Sequence, residues 1–461
     1  MPLRRLFVAN RGEIAVRVLR SARAMGIETV LGVSAADRDT LGARLADRTV
    51  VLGPAPSARS YLDARLVVHA AKATGCDALH PGYGFLSEKP ELARLCEEAG
   101  IRFVGPRPET IAALGDKLAA RAIAANAGVQ TVPGTDCITS LGDAMRAAEI
   151  LGYPVVMKAS AGGGGRGMFK ASSAVELQQS FERASREAEA AFGDPRLYME
   201  RFVQRARHVE VQVVGDGEGG VVHFGERDCS VQRRYQKLVE ESPASAVPQA
   251  IREALHAAAV RLLSQARYRN AGTVEFLYDV DREDFYFMEV NSRIQVEHPV
   301  TEEVTGVDLV ACQLRVAAGE GIGIAQSSIR PRGHAIEVRV NAENPFADFA
   351  PSPGRIVHWS PPAGEGVRLD THASEGYLVP PYYDSMIGKL IVHGDSRGEA
   401  IDRMLAAIAT FRIEGPKTVL PLAAFIIDHP DFRADRITTR WLEDIGLPAF
   451  VNPEAQPHAA H

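Results

Sequence analysis

Cysteine is scarce in this sequence, five residues in 461. Cys76, Cys96, Cys137, Cys229 and Cys312 are widely scattered, which excludes a disulfide framework and a zinc knuckle and fits a reducing compartment. No run of about 18 apolar residues is available to span a bilayer. The opening residues, Met1 to Phe7, lack the apolar core of a signal peptide, so the cytoplasm is the expected location. Neither a basic tract nor an acidic tail interrupts a net charge of −6 with interspersed signs, which excludes a dedicated nucleic-acid or membrane surface. A Walker sequence is missing, so any phosphate loop belongs to another class. Internal repeats are missing too. What remains is the composition of a soluble globular protein, 46% hydrophobic and 24% charged, long enough for about three domains.

The first hundred or so residues alternate short apolar runs with helical patterns: Leu6 to Ala9, Glu13 to Met25, Thr29 to Val33, Tyr61 to Thr74, Ala78-Leu79, Glu91 to Ala99 and Arg102 to Val104. Continuous apolar strands separated by helices predict a parallel, doubly wound sheet. We expect this first domain to cover 1–115. The segment from His80 to Phe85 is too rich in glycine and aromatics for a connector and marks a wall of a site. From 116 to 330 the pattern becomes α+β, with one helix over Thr110 to Ala127 leading in and a hinged lobe at about 133–202. A sheet-rich domain is expected over 331–450, and 451–461 reads as a disordered polar tail.

The stretch from Glu289 to Glu297 is the most informative. Run as one extended strand, it puts Glu289, Asn291, Arg293, Gln295 and Glu297 on one face and Val290, Ile294 and Val296 behind. Five consecutive polar side chains on a sheet face waste burial unless a bound metal and a charged substrate satisfy them; the ordinary alternative is a solvated edge strand.

Gly162 to Gly167 formally matches the dinucleotide pattern, yet Met168-Phe169-Lys170 continues as a strand where a dinucleotide loop must open a helix. The glycines instead make a hairpin whose N–H groups can close over phosphates as a mobile lid. Lys158 and Lys117 are placed to neutralise phosphate charge. Glu275 and Glu289 are expected to face each other across a hairpin and, with Asn291, to form a hard oxygen cluster for Mg²⁺ or Mn²⁺. Cys229, eight residues before Lys237, invites a thiolate–ammonium pair, although a small buried thiol is its more ordinary role.

Taken with Ala9 to Ala15, His80 to Glu88, Asp228 to Arg234, Glu289 to Val300 and Pro380 to Lys389, these motifs make the chain resemble a biotin carboxylase of the ATP-grasp superfamily from Phe7 to about Leu447. The resemblance implies an ATP-grasp fold: a Rossmann-like N-terminal domain, a central ATP-grasp domain with a glycine-rich lid, and a C-terminal biotin carboxylase domain. It implies carboxylation of biotin by bicarbonate through carboxyphosphate, using ATP and Mg²⁺ or Mn²⁺, two ions in all, within a homodimer. By the same resemblance ATP meets Lys117, Lys158, Gly164, Gly165, Glu200, Arg201, Phe202, Val203, His208, Gln232, Tyr235, Glu275 and Glu289. Metal sits on Glu275, Glu289 and Asn291, and bicarbonate meets Lys237, Arg293, Gln295 and Val296. Biotin meets Tyr83 and Arg339. Arg293, Glu297, Lys237 and Arg339 carry the chemistry: Glu297 takes the proton as bicarbonate attacks the γ-phosphate, and Arg339 stabilises the ureido oxyanion.

The chain departs from the family at Tyr235, where many relatives carry histidine, at Ala161 in the lid and at Val419. Tyrosine keeps a ring and a donor but carries no positive charge near neutral pH. A biotinyl acceptor presents Met-Lys-Met, whereas the only Met-Lys here is Met157-Lys158, so biotin is expected on a separate carrier protein, with the carboxyltransferase separate as well. The leading expectation is the first half-reaction of an acetyl- or propionyl-CoA carboxylase. The alternatives are a pyruvate carboxylase or other biotin-dependent carboxylase, another ATP-grasp ligase, or a non-catalytic nucleotide-binding homologue.

Overall fold

A computed structural model describes residues 2–160 and 168–451. Strands β1 (Arg5–Val8), β2 (Glu28–Ser34), β3 (Arg48–Gly53), β4 (Ala78–His80) and β5 (Arg102–Phe103) form a parallel sheet in the order β3-β2-β1-β4-β5. Leu6, Phe7 and Val8 are fully buried, as a central parallel strand covered on both faces requires. Sequence periodicity misses β3, an edge strand with only Leu52 inside. The loops after β1 and β4 are tied together where Asn10 Nδ2 donates to the carbonyls of Pro81 (2.7 Å) and Tyr83 (2.8 Å). Gly82, at φ +62°, permits this approach, because a Cβ there would lie 2.8 Å from Asn10 Nδ2. Both loops lie at the carboxyl ends of their strands, where open α/β sheets place their sites.

The helix expected over Thr110 to Ala127 is two, Pro108–Gly115 and Lys117–Asn126. Asp116 breaks it by adopting an extended conformation and capping the second helix, its carboxylate accepting from Ala119 N at 2.8 Å. Strands β6 (Val155–Ala159), β7 (Met168–Ala171) and β8 (Leu197–Arg201) make a small antiparallel sheet in the order β7-β6-β8. Helices Leu141–Leu151 and Ala174–Phe192 pack on it around Met157, Leu177 and Met199, a core of its own for the lobe. Gly164, Gly165 and Ala161 lie outside the described residues, as does the polar tail beyond Val451.

The main sheet contains β9 (Ala206–Asp216), β10 (Val221–Arg233), β11 (Gln236–Ser242), β12 (Arg269–Asp279), β13 (Asp284–Asn291) and β14 (His334–Asn341), with strands Met386–Gly394 and Val367–Thr371 at its far edge. β11 pairs with β14 through Val239↔Val338 and Glu240↔Glu337, so one antiparallel sheet runs across the boundary expected at 330 and 331. β13 ends at Asn291; Ser292 to Glu297 is irregular, and helices His298–Thr305 and Leu309–Ala318 follow. Among the described residues, no helix is long and apolar enough to cross a membrane.

Candidate active site

Across the main sheet four charged residues stand in register. Glu289 on β13 is opposite Glu275 on β12, Glu275 is opposite Glu210 on β9, and Glu210 is opposite Arg227 on β10. Three adjacent carboxylates would repel one another strongly in a buried place, and two cations balance them. Arg227, with no exposed surface, donates from Nε to Glu210 (2.6 Å), from Nη1 to Gln212 (2.8 Å), and from Nη2 to Gln295 (2.8 Å). Lys237, near the start of β11, reaches Glu210 and Glu297 at 2.6 Å each and Glu275 at 3.0 Å. Burial opposes its charge, but Glu210, Glu275 and Glu297 outweigh that and hold its ammonium well above the usual lysine range. Burial pushes the Cys229 thiol far up, which favours the buried thiol over a thiolate–ammonium pair.

The expected single extended rail is corrected: only Glu289, Val290 and Asn291 belong to the strand. The next six residues form a loop with core on one side and a cavity on the other, which reproduces strand-like alternation without a ladder. Ile294 is fully buried behind it, whereas Arg293, Gln295, Val296 and Glu297 line the cavity. Gln295 Nε2 donates to Glu275 (2.9 Å), Arg293 Nε to Glu88 (2.9 Å), and Arg293 Nη2 to Asn291 (3.1 Å). Glu297 accepts from Lys237 and, on its other oxygen, from Arg339 Nη2 at 3.1 Å. Burial raises its carboxyl, yet Lys237, Arg339 and Arg227 together hold it well below the carboxylate range. Arg339 also donates from Nε to Glu240 at 2.7 Å. Burial still drives Glu240 up to about 7 against that guanidinium.

The cavity, about 870 Å³, lies between the N-terminal loops, the small lobe and the main sheet. Every sequence-expected side chain among the described residues lines it. Lys158 and Arg121 both pair with Glu200 on β8, and Lys117 stays 3.8 Å from Glu289. Arg201 Nη2 donates to Tyr286 at 2.9 Å, while Lys170 lies 4.5 Å above the ring of Phe202. Val203 packs with Val132, Ala206 and Tyr286 at the rim. Gln232 is opposite Lys237 in the β10–β11 pair, and His208 Nε2 lies 3.1 Å from Glu275. Tyr235 turns left-handed at φ +66° and is 55% exposed at the mouth. Tyr83 forms the opposite wall, its hydroxyl donating to Glu13.

The acidic pair Glu275 and Glu289 carries ligand types that a hard divalent cation takes. Burial and the neighbouring Glu275 push the Glu289 carboxyl up, and Lys117 is too distant to offset them fully. At Glu275, burial is overcome by Lys237 and His208, so its carboxyl is pulled far down. Two cross-strand carboxylates and the Asn291 amide thus offer oxygen donors of the kind Mg²⁺ or Mn²⁺ takes.

Sequence reasoning missed Glu210, Arg227, Glu88 and Arg121. Glu210 carried a signal, since His208, Glu210 and Gln212 alternate with buried Val209, Val211 and Val213. The others are distant in sequence from their partners, and periodicity carries no trace of them.

Comparison with known proteins gives this geometry its context. Residues 2–111 match the family described as Biotin carboxylase, N-terminal domain, and 337–444 match Biotin carboxylase C-terminal domain. Residues 116–324 match Carbamoyl-phosphate synthase L chain, ATP binding domain. The chain belongs to the biotin carboxylases. It is 48% identical to Biotin carboxylase 1 of Bacillus subtilis over 442 residues, covering 96% of this chain and 98% of that protein. It is also 48% identical to a pyruvate carboxylase subunit of Methanothermobacter thermautotrophicus, over 95% of this chain and 89% of that one. Among solved structures, the biotin carboxylase domain dimer of Hydrogenobacter thermophilus 2-oxoglutarate carboxylase, in complex with MgADP, ADP and bicarbonate, matches at 44% identity. Its TM-score is 0.92, with 98% of this chain and 100% of that chain covered. The biotin carboxylase–β-γ-ATP complex of Campylobacter jejuni matches at 43% identity with a TM-score of 0.93, over 96% of this chain and 99% of that chain. The ATP-grasp biotin carboxylase architecture and the activity of ATP-dependent biotin carboxylation follow from family membership.

Proposed function

We propose that this biotin carboxylase performs the first half-reaction of a multi-component acyl-CoA carboxylase, acetyl- or propionyl-CoA, acting on biotin held by a separate carrier protein. The observation that carries the site assignment is Lys237, whose ammonium joins Glu275 and Glu297 of the cavity wall to the buried Glu210 and stands beside the loop bearing Arg293. In this reading Lys117, Lys158, Glu200, Arg201, Phe202, Val203, His208, Gln232 and Tyr235 seat ATP, with Gly164 and Gly165 of the lid. Glu275, Glu289 and Asn291 would hold Mg²⁺ or Mn²⁺, which when bound neutralises phosphate charge.

Bicarbonate lies against Lys237, Arg293, Gln295 and Val296. The planar guanidinium of Arg293 fits a small carboxylate-like anion, and Glu88 and Asn291 hold its direction beforehand. Glu297, kept ionised by Lys237 and Arg339, takes the bicarbonate proton as its oxygen attacks the γ-phosphorus. Arg339 then faces the negative charge that develops on the ureido oxygen of biotin, with Tyr83 as the opposite wall.

The reading extends to a cytoplasmic homodimer, to two bound ions, and to units at 1–115, 116–330 and 331–450. The equal identity to a pyruvate carboxylase component supports that enzyme as the second reading. Purified protein should cleave ATP only with bicarbonate and faster with free biotin; binding of ATP without turnover would overturn the reading. Capture of native protein, its partners probed for biotin and for transferase activity on acetyl-, propionyl-CoA or pyruvate, separates the two branches.

A further inference from the structure

Lys389 is an ammonium with no exposed surface, on the strand Met386–Gly394 opposite Arg339. Its Nζ donates to the backbone carbonyl of Val296 at 2.7 Å and lies 3.3 Å from Glu13 Oε2. Glu13, in the first turn of the helix Gly12–Ala24, is equally buried and accepts the Tyr83 hydroxyl on its other oxygen. A continuous chain of contacts, Val296 carbonyl to Lys389 to Glu13 to Tyr83, therefore joins the Ser292 to Glu297 loop to the opposite wall of the cavity. Four segments distant in sequence supply it, and neither Lys389 nor Glu13 lies within the acidic row described above.

Packing alone does not account for the pair. A buried ion pair is costly to desolvate, and apolar residues of similar volume often do as well or better for stability. An ammonium here has a specific effect: it fixes the direction of the carbonyl between Gln295 and Glu297, and so the side chains on both sides of it. We propose that Lys389 and Glu13 are positioning residues that set the separation of the bicarbonate loop from the biotin wall. The proposal rests on the assignment of bicarbonate to Val296 and its neighbours and of biotin to Tyr83.

The test uses the full chain carrying Glu13→Gln, Lys389→Met and both together, with KM and kcat measured separately for ATP, bicarbonate and free biotin. A misplacement of about 1 Å can cost roughly 100-fold, so each single variant should lose about 10- to 100-fold in kcat/KM for biotin. Lys389→Met should lose as much for bicarbonate, while the KM for ATP stays at the wild-type value. Because the two residues act through one chain of contacts, the double variant should be no worse than Lys389→Met. Wild-type constants for bicarbonate and biotin in folded variants, or losses that add in the double variant, overturn the proposal alone. A wild-type protein without bicarbonate-dependent ATP cleavage overturns the site reading and this proposal with it. If Lys389→Met fails to fold, the near-isosteric Glu13→Gln decides by its biotin constants.

Discussion

Glu297 Oε1 accepts a 2.6 Å hydrogen bond from Lys237 Nζ at the floor of the cavity, and Glu297 Oε2 accepts one of 3.1 Å from Arg339. The carboxylate is thus held ionised and aimed from both sides. Its basicity is suppressed while the cations are this close, and in the proposed mechanism a bicarbonate that shares Lys237 would restore some of it. Glu297→Gln preserves the shape but removes the proton acceptor. We expect biotin-dependent turnover to fall by about 10²–10⁴-fold, the usual contribution of a positioned base. ATP binding should hardly change, because Lys237 keeps Glu210 and Glu275. A loss below about tenfold in turnover, or a matching loss of ATP affinity in a nucleotide-binding titration, removes Glu297 from that role.

Arg339 links Glu297 to Glu240, whose Oε2 is buried without a hydrogen-bond partner. Burial has already lifted Glu240 to about 7 despite the guanidinium. Without Arg339 the Glu240 carboxyl loses its main lowering partner and rises further, and Glu297 retains Lys237. Arg339→Ala should therefore slow carboxylation of biotin more than bicarbonate-dependent ATP cleavage, since the group lost is the one proposed to meet the ureido charge. The ratio of the two rates is the measurement, and equal losses in both count against the assignment.

How much of this was legible in the sequence varies with the kind of signal. The parallel strands, the hairpin that sets Glu275 against Glu289, and the helix Ala174–Phe192 follow from apolar periodicity, because burial on one face or on two writes itself directly into the residue order. The rail from Glu289 to Glu297 was right in its direction and wrong in its backbone: a loop squeezed between Ile294 in the core and an open cavity alternates as a strand does. β11 went unseen because it is only seven residues long and its polar residues hide the alternation: Gln236 and Lys237 line the cavity, whereas Glu241 turns away to Arg397 and His334. Arg227 and Glu88 are supplied by remote segments, and a single sequence does not encode which distant partners they meet.

Tyr235 stands in the left-handed region at φ +66°, next to Arg234 at φ +47°. The Arg234 N–H donates to Glu443 at 2.8 Å, which fixes this turn at the cavity mouth. A non-glycine residue in that conformation is held there by its surroundings. If the ring packs on the nucleotide, Tyr235→Ala should raise the KM for ATP about five- to tenfold, the loss of roughly 1 kcal/mol of ring contact. Tyr235→Phe then reports the hydroxyl alone. An unchanged KM in both variants shows that Tyr235 does not touch ATP.

Glu241 offers a stability test away from the chemistry. It lies on β11, where its carboxylate receives Arg397 from both Nε (2.7 Å) and Nη2 (3.0 Å) and His334 Nε2 at 2.9 Å. Burial raises its carboxyl, but His334 and Arg397 overcome that and bring it down to about 2 from the ordinary 4.5. The folded value is the lower one. The contribution to stability is therefore present above the ordinary value and is lost as pH falls towards 2. Glu241→Gln should cost about 3 kcal/mol at neutral pH, from breaking a buried pair. That deficit should shrink through the acid range as wild-type Glu241 also becomes protonated. Denaturant unfolding of both proteins at stepped pH measures the gap. A gap that does not change with pH means that Glu241 contributes through packing and not through its charge.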